Sequence, residues 1–251
     1  MSDQIKIDFE NTIKTNNFSS EDIESKKHFL NKFIEKGFPN KKLENWKFLD
    51  LSQIIKNNIG EINFDNDYNF TNKFDTSKLI SDLEHNKIIF VNGRIENLDF
   101  SKEDKSEIEI YDDVKKNDKS DGKNSLIDLN NAFRNKFYKI KVKKNYHFKK
   151  PLIIYHFSND KMKSKNINLR LDFQLEENSS LRLIDYFDDT SDKNFMNIFY
   201  NFDLKRESIL KNYKIDKSSN KNLKYSFNNI DQEKNSISET FILSSGSNYF
   251  K

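Results

Sequence analysis

Apolar residues change their spacing along the chain, and the changes mark its elements. Ile5, Phe9 and Ile13 recur at i, i+4 and i+8, and Ile23, Leu30, Phe33 and Ile34 form a second stripe behind Ser19 and Ser20, so two amphipathic helices are predicted before residue 37. Gly37 ends the second, because glycine serves a helix C-terminus and Pro39 follows two residues on. A short third helix is predicted from a capping Asp50 through Leu51, Ile54 and Ile55, then a loop over 61–78 and a short helix over Leu79, Ile80 and Leu83. At residue 88 the period shortens. Ile88–Val91, Asn92-Gly93 and Arg94–Leu98 read as a hairpin, since Asn and Gly tolerate the positive φ of a type I′ turn. A strand is predicted over Glu107–Tyr111, a solvated loop over Lys115–Lys123, and a helix over Ser125–Phe133 with Leu126, Leu129, Asn130 and Phe133 on one side.

From Phe137 the alternation is strict. Tyr138, Ile140 and Val142 share one face, Leu152–Phe157 follows Pro151, and six further strands begin near 167, 181, 196, 209, 223 and 237, at steps of 13 to 15 residues. Their apolar faces read as Ile167–Leu175, Leu181 and Leu183, Met196–Leu204, Ile209, Tyr213 and Ile215, Leu223, Tyr225 and Phe227, and Ile237, Phe241 and Leu243. A meander or sandwich shares this rhythm with a β-solenoid of about 28 residues per coil. The connections carry no glycine, whereas tight hairpins usually need one, and this favours the solenoid. The expected fold is mainly β: a helical region over 1–86 and a parallel β-helix over 87–251. Its C-terminal end is expected to be uncapped, because Gly246–Lys251 directly follow a strand; a partner or a longer parent chain would continue it.

Mean hydropathy of −0.90 and 33% charged residues suggest disorder at first sight, but 23 Phe and a regular placement of Ile and Leu supply a core. The formal net charge of +3 is too small for a dedicated nucleic-acid binder. With no cysteine there is no disulfide, thiol nucleophile or thiolate ligand on this chain. No apolar stretch is long enough to span a membrane and no signal-peptide core is visible, so a cytoplasmic location is expected. His147 and His156 flank Pro151 and could offer two imidazoles to a metal, but no histidine motif of ligand spacing exists, and metal binding is not expected. Phosphate-cradling glycine motifs and a nucleophile elbow are absent too. Between Arg134 and Lys165, eleven basic residues alternate with Phe137, Tyr138, Tyr146, Phe148, Tyr155 and Phe157 against one acid, Asp160. That is the composition of a single-strand nucleic-acid platform or, the favoured reading here, of a sheet with a lysine-rich outer face.

The only tryptophan, Trp46, lies in Gly37-Phe38-Pro39-Asn40-Lys41-Lys42-Leu43-Glu44-Asn45-Trp46-Lys47-Phe48. This segment resembles the G-[LF]-P-x-x-[KR]-x-E-x-W-[KR]-[YF] signature of SufD, the cysteine-poor partner of SufB in the SufBCD iron-sulfur cluster assembly complex. Further similarities follow in order: Phe90-Val91-Asn92-Gly93-Arg94, Leu129-Asn130-Asn131-Ala132-Phe133, Pro151–Ile154 and Leu181–Asp185. Leu49 stands where the family commonly has threonine. The resemblance implies an N-terminal helical region, a right-handed parallel β-helix and a C-terminal helical domain, of which the last and the far end of the β-helix have no counterpart here. It marks Gly37, Pro39, Glu44, Trp46, Asn92, Gly93 and Asn130 as structural motif residues, and carries over no catalytic or metal-binding residue.

The function implied is that of a non-catalytic scaffold working with a SufB-like protein and a SufC-like ATPase, the ATPase docking region being absent. No cofactor is expected on this chain alone; the iron-sulfur cluster would be assembled transiently in the complex. The alternative is an independent β-solenoid binding acidic polysaccharide or nucleic acid through the basic 134–165 face, and a third reading is a fragment without retained activity.

Overall fold

A computed structural model describes residues 2–65, 74–113, 124–188, 193–217, 221–245 and 249–250. The expected loop over 115–123 and the segment 246–248 lie outside them. Three helices open the chain: α1 (Ser2–Thr15), α2 (Ser20–Lys36) and α3 (Leu51–Asn58). Ser19 caps α2 by accepting the Asp22 N–H, while the Asp22 carboxylate returns to the Ser19 N–H, a reciprocal capping box. Gly37 ends α2 at φ 69°, with its N–H on the Phe33 carbonyl; a Cβ there would touch nothing, so backbone conformation alone calls for glycine. Asp50 caps α3 through the Gln53 N–H.

The short helix expected over 79–83 does not form. A single 3₁₀ turn, Thr76–Lys78, ends first, and Leu79 and Ile80 instead spread over a sheet face, where the Ile80 N–H donates to the Tyr155 hydroxyl at 3.1 Å. Two apolar side chains in sequence cover more of a flat sheet when extended than on one side of a helical turn.

The hairpin forms as expected, β1 (Asn86–Val91) with β2 (Arg94–Asp99), through Asn92 at φ 53° and Gly93 at φ 79°. The four-residue α4 (Lys102–Lys105), β3 (Ile108–Asp113) and α5 (Ser125–Phe133) follow. The remaining strands are β4 (Phe137–Val142), β5 (Leu152–Phe157), β6 (Asn166–Leu175), β7 (Ser180–Phe187), β8 (Phe195–Leu204), β9 (Ile209–Asp216), β10 (Leu223–Gln232), β11 (Ile237–Ser244) and β12 (Tyr249–Phe250). They alternate between two sheets, ordered β11-β9-β7-β5-β1-β2 and β12-β10-β8-β6-β4-β3. Among the described strands only β2 and β3 run antiparallel to their neighbours. Asn166 pairs with Phe195 and Phe195 with Leu223, steps of 29 and 28 residues; in the other sheet Ser180, Ile209 and Ile237 step by the same amounts. The chain is a parallel β-solenoid of about three coils with helices at its side.

The glycine-free corners work by left-handed residues of other types. Asn145, Asn178, Glu207 and Asn235 have φ of 63, 55, 61 and 60°, and the first three each donate a backbone N–H to a carbonyl of the next coil, at 2.9 to 3.1 Å. Asn tolerates this conformation through its short polar side chain; Glu207 is the exception.

Three apolar layers hold the fold. Inside the solenoid, Ile88, Ile154, Leu171, Phe173, Leu183, Ile198 and Phe202 are buried between the sheets. On the outer face of the second sheet, α1, α2, α3 and α5 pack over Phe195, Leu223 and Tyr225, so the helical layer includes α5 as well as the N-terminal helices. On the outer face of the first sheet, Phe74, Leu79 and Ile80 cover Val91, Tyr155, Phe157 and Tyr186, leaving Phe241 and Leu243 farther along exposed.

Candidate functional site

The sequence-marked residues stand at joints between layers. The Pro39 carbonyl accepts the Leu51 N–H at 3.0 Å, and Glu44 opens a 3₁₀ turn over Glu44–Trp46 that delivers the buried indole to the helical core. The Trp46 ring lies 5.8 Å from that of Tyr225 on β10, whose hydroxyl accepts from Asn124, the cap of α5, at 2.7 Å. Trp46 and Tyr225, with Pro39, Leu43, Glu44, Asn124 and their neighbours, line a cleft of about 580 Å³. Asn92 and Asn159 exchange two hydrogen bonds at 3.1 Å, fastening the β1–β2 turn to the chain after β5. A Cβ on Gly93 would stand 3.1 Å from Ile167 Cγ2, so both space and φ favour glycine there. Asn130, fully buried, donates to the Leu169 and Asn197 carbonyls at 3.0 and 2.8 Å and pins α5 across β6 and β8. These contacts are architectural: each fastens one part of the fold to another.

The chemistry-bearing groups converge elsewhere, inside the solenoid. Through β8 the inward positions of β6 to β8 are almost wholly apolar, and the faces read from sequence for these strands point inward. From β9 the phase reverses. Tyr213 and Ile215 lie on the outer face; Leu210, Asn212, Lys214 and Asp216 point in, stacked over Leu181, Leu183, Asp185 and Phe187 of β7. On β10, Tyr225 goes to the helical layer while Lys224, Ser226 and Asn228 face the lumen. On β11, Ile242 stacks over Lys214, with Phe241 on the other face.

The result is a buried polar layer resting on a polar cluster in the coil below. His156, Asp185, Lys214, Asp216 and Lys224 are each at most 3% exposed, and Tyr200 is fully buried. The Tyr200 hydroxyl donates to Asp185 Oδ1 at 2.9 Å, and His156 Nε2 stands 3.2 Å from the same oxygen and 3.3 Å from the Tyr200 hydroxyl. Because a carboxylate only accepts, the proton of the neutral imidazole belongs on Nε2. The ring is held between Phe187, with centroids 4.3 Å apart, and Phe90, at 5.6 Å. Lys214 Nζ donates to Ser226 Oγ at 2.9 Å and Asn228 Oδ1 at 3.0 Å, lies 3.7 Å from the Tyr200 ring centroid, and stands 3.9 Å from Asp185 Oδ2. Lys224 pairs with Asp216 at 2.9 Å and sits 3.6 Å over the Phe187 ring.

Burial dominates the ionisation of this group. It holds the His156 pKa below its ordinary value, with Asp185 opposing in part. It raises Tyr200 well above the usual phenol range, a rise the Asp185 charge enlarges. It lowers Lys214 to about 8, with the Lys224 charge acting in the same direction and Asp185 against it. The layer therefore disfavours charge on the imidazole and on the phenol, and its Lys214 amine titrates near pH 8.

His147 and His156 do not meet: His147 Nδ1 contacts Ser180 Oγ at 3.0 Å, whereas His156 turns inward to Asp185, five residues farther along β7. Among the described residues no group of three or more His, Asp or Glu could hold a metal ion, and no helix is long and apolar enough to cross a membrane. In the basic stretch Phe137, Tyr138, Phe148, Tyr155 and Phe157 are buried, so their faces are not offered to bases. Several of its lysines pair with acids: Lys136 with Asp112, Lys141 with Glu176, Lys144 with Glu177, Lys150 with Glu84 and Lys165 with Asp65. No family model matches the chain, and a search of curated proteins finds no match.

Proposed function

We propose that the chain is a SufD-like scaffold subunit that works with a SufB-like protein and a SufC-like ATPase in iron-sulfur cluster assembly. One observation supports the reading: segments that resemble SufD occupy joints of the fold, two of them between the helical layer and a parallel β-solenoid and one within the solenoid. Trp46 meets Tyr225, Asn92-Gly93 closes against Ile167, and Asn130 bridges β6 and β8. A rigid solenoid suits a subunit that positions a partner's ligands, because every coil is tied to the next by a continuous ladder and domain-scale bending is resisted. The cluster is cargo in this scheme, and the partner supplies the thiolates that this chain lacks.

The competing reading, binding of nucleic acid or acidic polysaccharide through residues 134–165, asks for exposed aromatic faces and free cations, and much of that stretch is buried or paired. Co-expression with SufB-like and SufC-like proteins from one source, followed by size-exclusion chromatography, tests the scaffold. A complex containing all three is expected, with ATP hydrolysis confined to the ATPase-containing fractions. A folded chain that elutes alone under those conditions, or one that retains iron and sulfide by itself, would overturn it.

A further inference from the structure

The polar layer inside the solenoid does not satisfy itself. Asp185 Oδ2 and both side-chain atoms of Asn212 are buried without a hydrogen-bond partner, and Ser238 Oγ, on the β11 residue that stacks over Leu210, is in the same state. Buried polar atoms are paired in more than about nine cases of ten, so several orphans within one lumen are an observation in their own right. The unused capacity is mixed, with amide donors on Asn212 and acceptors on Asn212 and Asp185, as a small polar molecule would require.

Lys214 lies on the same strand as Asn212 and stacks over Asp185. Asp185 Oδ2 is 3.9 Å from its nitrogen, an ion pair too long to be a hydrogen bond. The charged and titratable groups facing the amine are few: Asp185 from β7, the Tyr200 ring from β8, Asp216 on its own strand and Lys224 from β10, with His156 on β5 reaching it only through Asp185. The next coil contributes Ile242, which is 47% exposed and stacks over Lys214. A desolvated lysine beside a second cation is the arrangement that makes an amine nucleophilic.

We propose that Lys214 is the nucleophilic amine of a site in the solenoid lumen that captures a small carbonyl compound, an aldehyde or 2-oxo acid, as an imine. The nitrogen lone pair of the neutral amine attacks the carbonyl carbon, a C–N bond forms, and the carbonyl π pair moves to oxygen. Asp185 Oδ2 takes a proton from nitrogen and returns it to that oxygen. Loss of the hydroxyl as water, with the second nitrogen proton, leaves C=N, so amine and carbonyl give imine and water with no change of oxidation state. Asn212 holds the remaining polar end of the ligand. The site is independent of the scaffold reading and stands or falls without partner proteins.

The test is peptide mapping of the wild-type chain after limited treatment with glyoxylate and cyanoborohydride, which reduces an imine to a stable secondary amine. At pH 7 an amine with a pKa of about 8 is roughly one-tenth neutral, on the order of a hundredfold more than an ordinary lysine. Lys214 is expected to label at least tenfold faster than the half-buried Lys211 on the same strand, which pairs with Glu239. Its rate should level off by about pH 9. Labelling of Lys214 no faster than that of Lys211, or a rate that climbs without levelling, would overturn the proposal. Because the comparison is made within one folded wild-type protein, no variant has to survive for the result to count.

Discussion

Two coils of one solenoid solve the same packing problem in opposite ways. Where β6 faces β7, the lumen is filled by Leu171, Phe173, Leu183 and Phe187, with Phe173 stacked on Phe202 of β8 at 5.2 Å. Where β9 faces β10, the same inward positions carry Asn212, Lys214 and Asp216 against Lys224, Ser226 and Asn228. The backbone ladder is unchanged between them, and the coil step is 28 or 29 residues in both. Parallel β-helix geometry is therefore indifferent to whether apolar or polar side chains fill it. The apolar coil supplies stability, and the polar coil spends part of it on groups that a packed core does not need.

The largest expected effect lies in the apolar coil. Phe202 is fully buried between Phe173 and Tyr200, and Phe202→Ala should cost about 4 kcal/mol in transfer and cavity energy. The urea midpoint of unfolding measures it. A loss below about 1 kcal/mol would show that the lumen collapses freely and would erase the contrast with the polar coil.

The ion pair of the polar coil comes next. Asp216→Ala removes the carboxylate that faces Lys224 at 2.9 Å in a site 1% exposed, and should cost about 3 kcal/mol. The double change Asp216→Leu with Lys224→Met should recover most of that, because two apolar chains replace both charges and their desolvation together. If the double variant is as unstable as the single, the charges contribute to stability in a way the apolar coil does not need, and the comparison would have to be redrawn.

A smaller effect is a matter of pH. Lys214 has a folded pKa of about 8, below the ordinary 10.5, so between those values the unfolded chain binds more protons than the folded one. Stability should therefore rise as pH climbs through this window, by about 2 kcal/mol between pH 7 and 9.5 from this group alone. The difference between wild type and Lys214→Met in urea midpoints across that range isolates it from Asp185, Lys224 and the other groups of the layer. His156 acts with the same sign lower on the scale: its folded pKa is depressed, so stability should fall as pH drops below its ordinary 6.5.

The architecture is more legible in the sequence than the polar layer is, and the reason is local against non-local information. The caps at Ser19, Asp50 and Gly37, the Asn92-Gly93 turn and the strand rhythm each depend on a few neighbouring residues, and each forms. Alternation shows that a strand has two faces, but which face is inner depends on what covers the other. For β10 the helical layer covers Tyr225, so the more apolar face of that strand points out. Tyr213 and Phe241 follow it outward at 38% and 60% exposure, and the lumen receives the polar residues. Stacking the sequence at the coil step of 28 or 29 would have placed Lys214 over Asp185 and Asn212 over Leu183, a signal that strand-by-strand reading does not use. The short helix expected at 79–83 fails for a related reason: Leu79 and Ile80 have a sheet to cover, and only the tertiary structure supplies it.

The smallest expected effect sits at the turn that leads from the last apolar strand, β8, into the polar strand β9. Asn145, Asn178 and Asn235 hold the equivalent left-handed corners, and Glu207 holds this one at φ 61° with its side chain exposed. A glutamate pays a steric cost in that conformation which asparagine reduces through local hydrogen bonding. Glu207→Asn should therefore stabilise the chain by about 0.5 kcal/mol, seen as a higher urea midpoint at unchanged slope. The Glu207 N–H bond to the Lys234 carbonyl is kept in the variant, so the gain belongs to backbone conformation alone. A loss instead of a gain would mean that the glutamate side chain contributes to the polar end of the solenoid, and that the boundary between the two coils begins at this corner and not at Asn212.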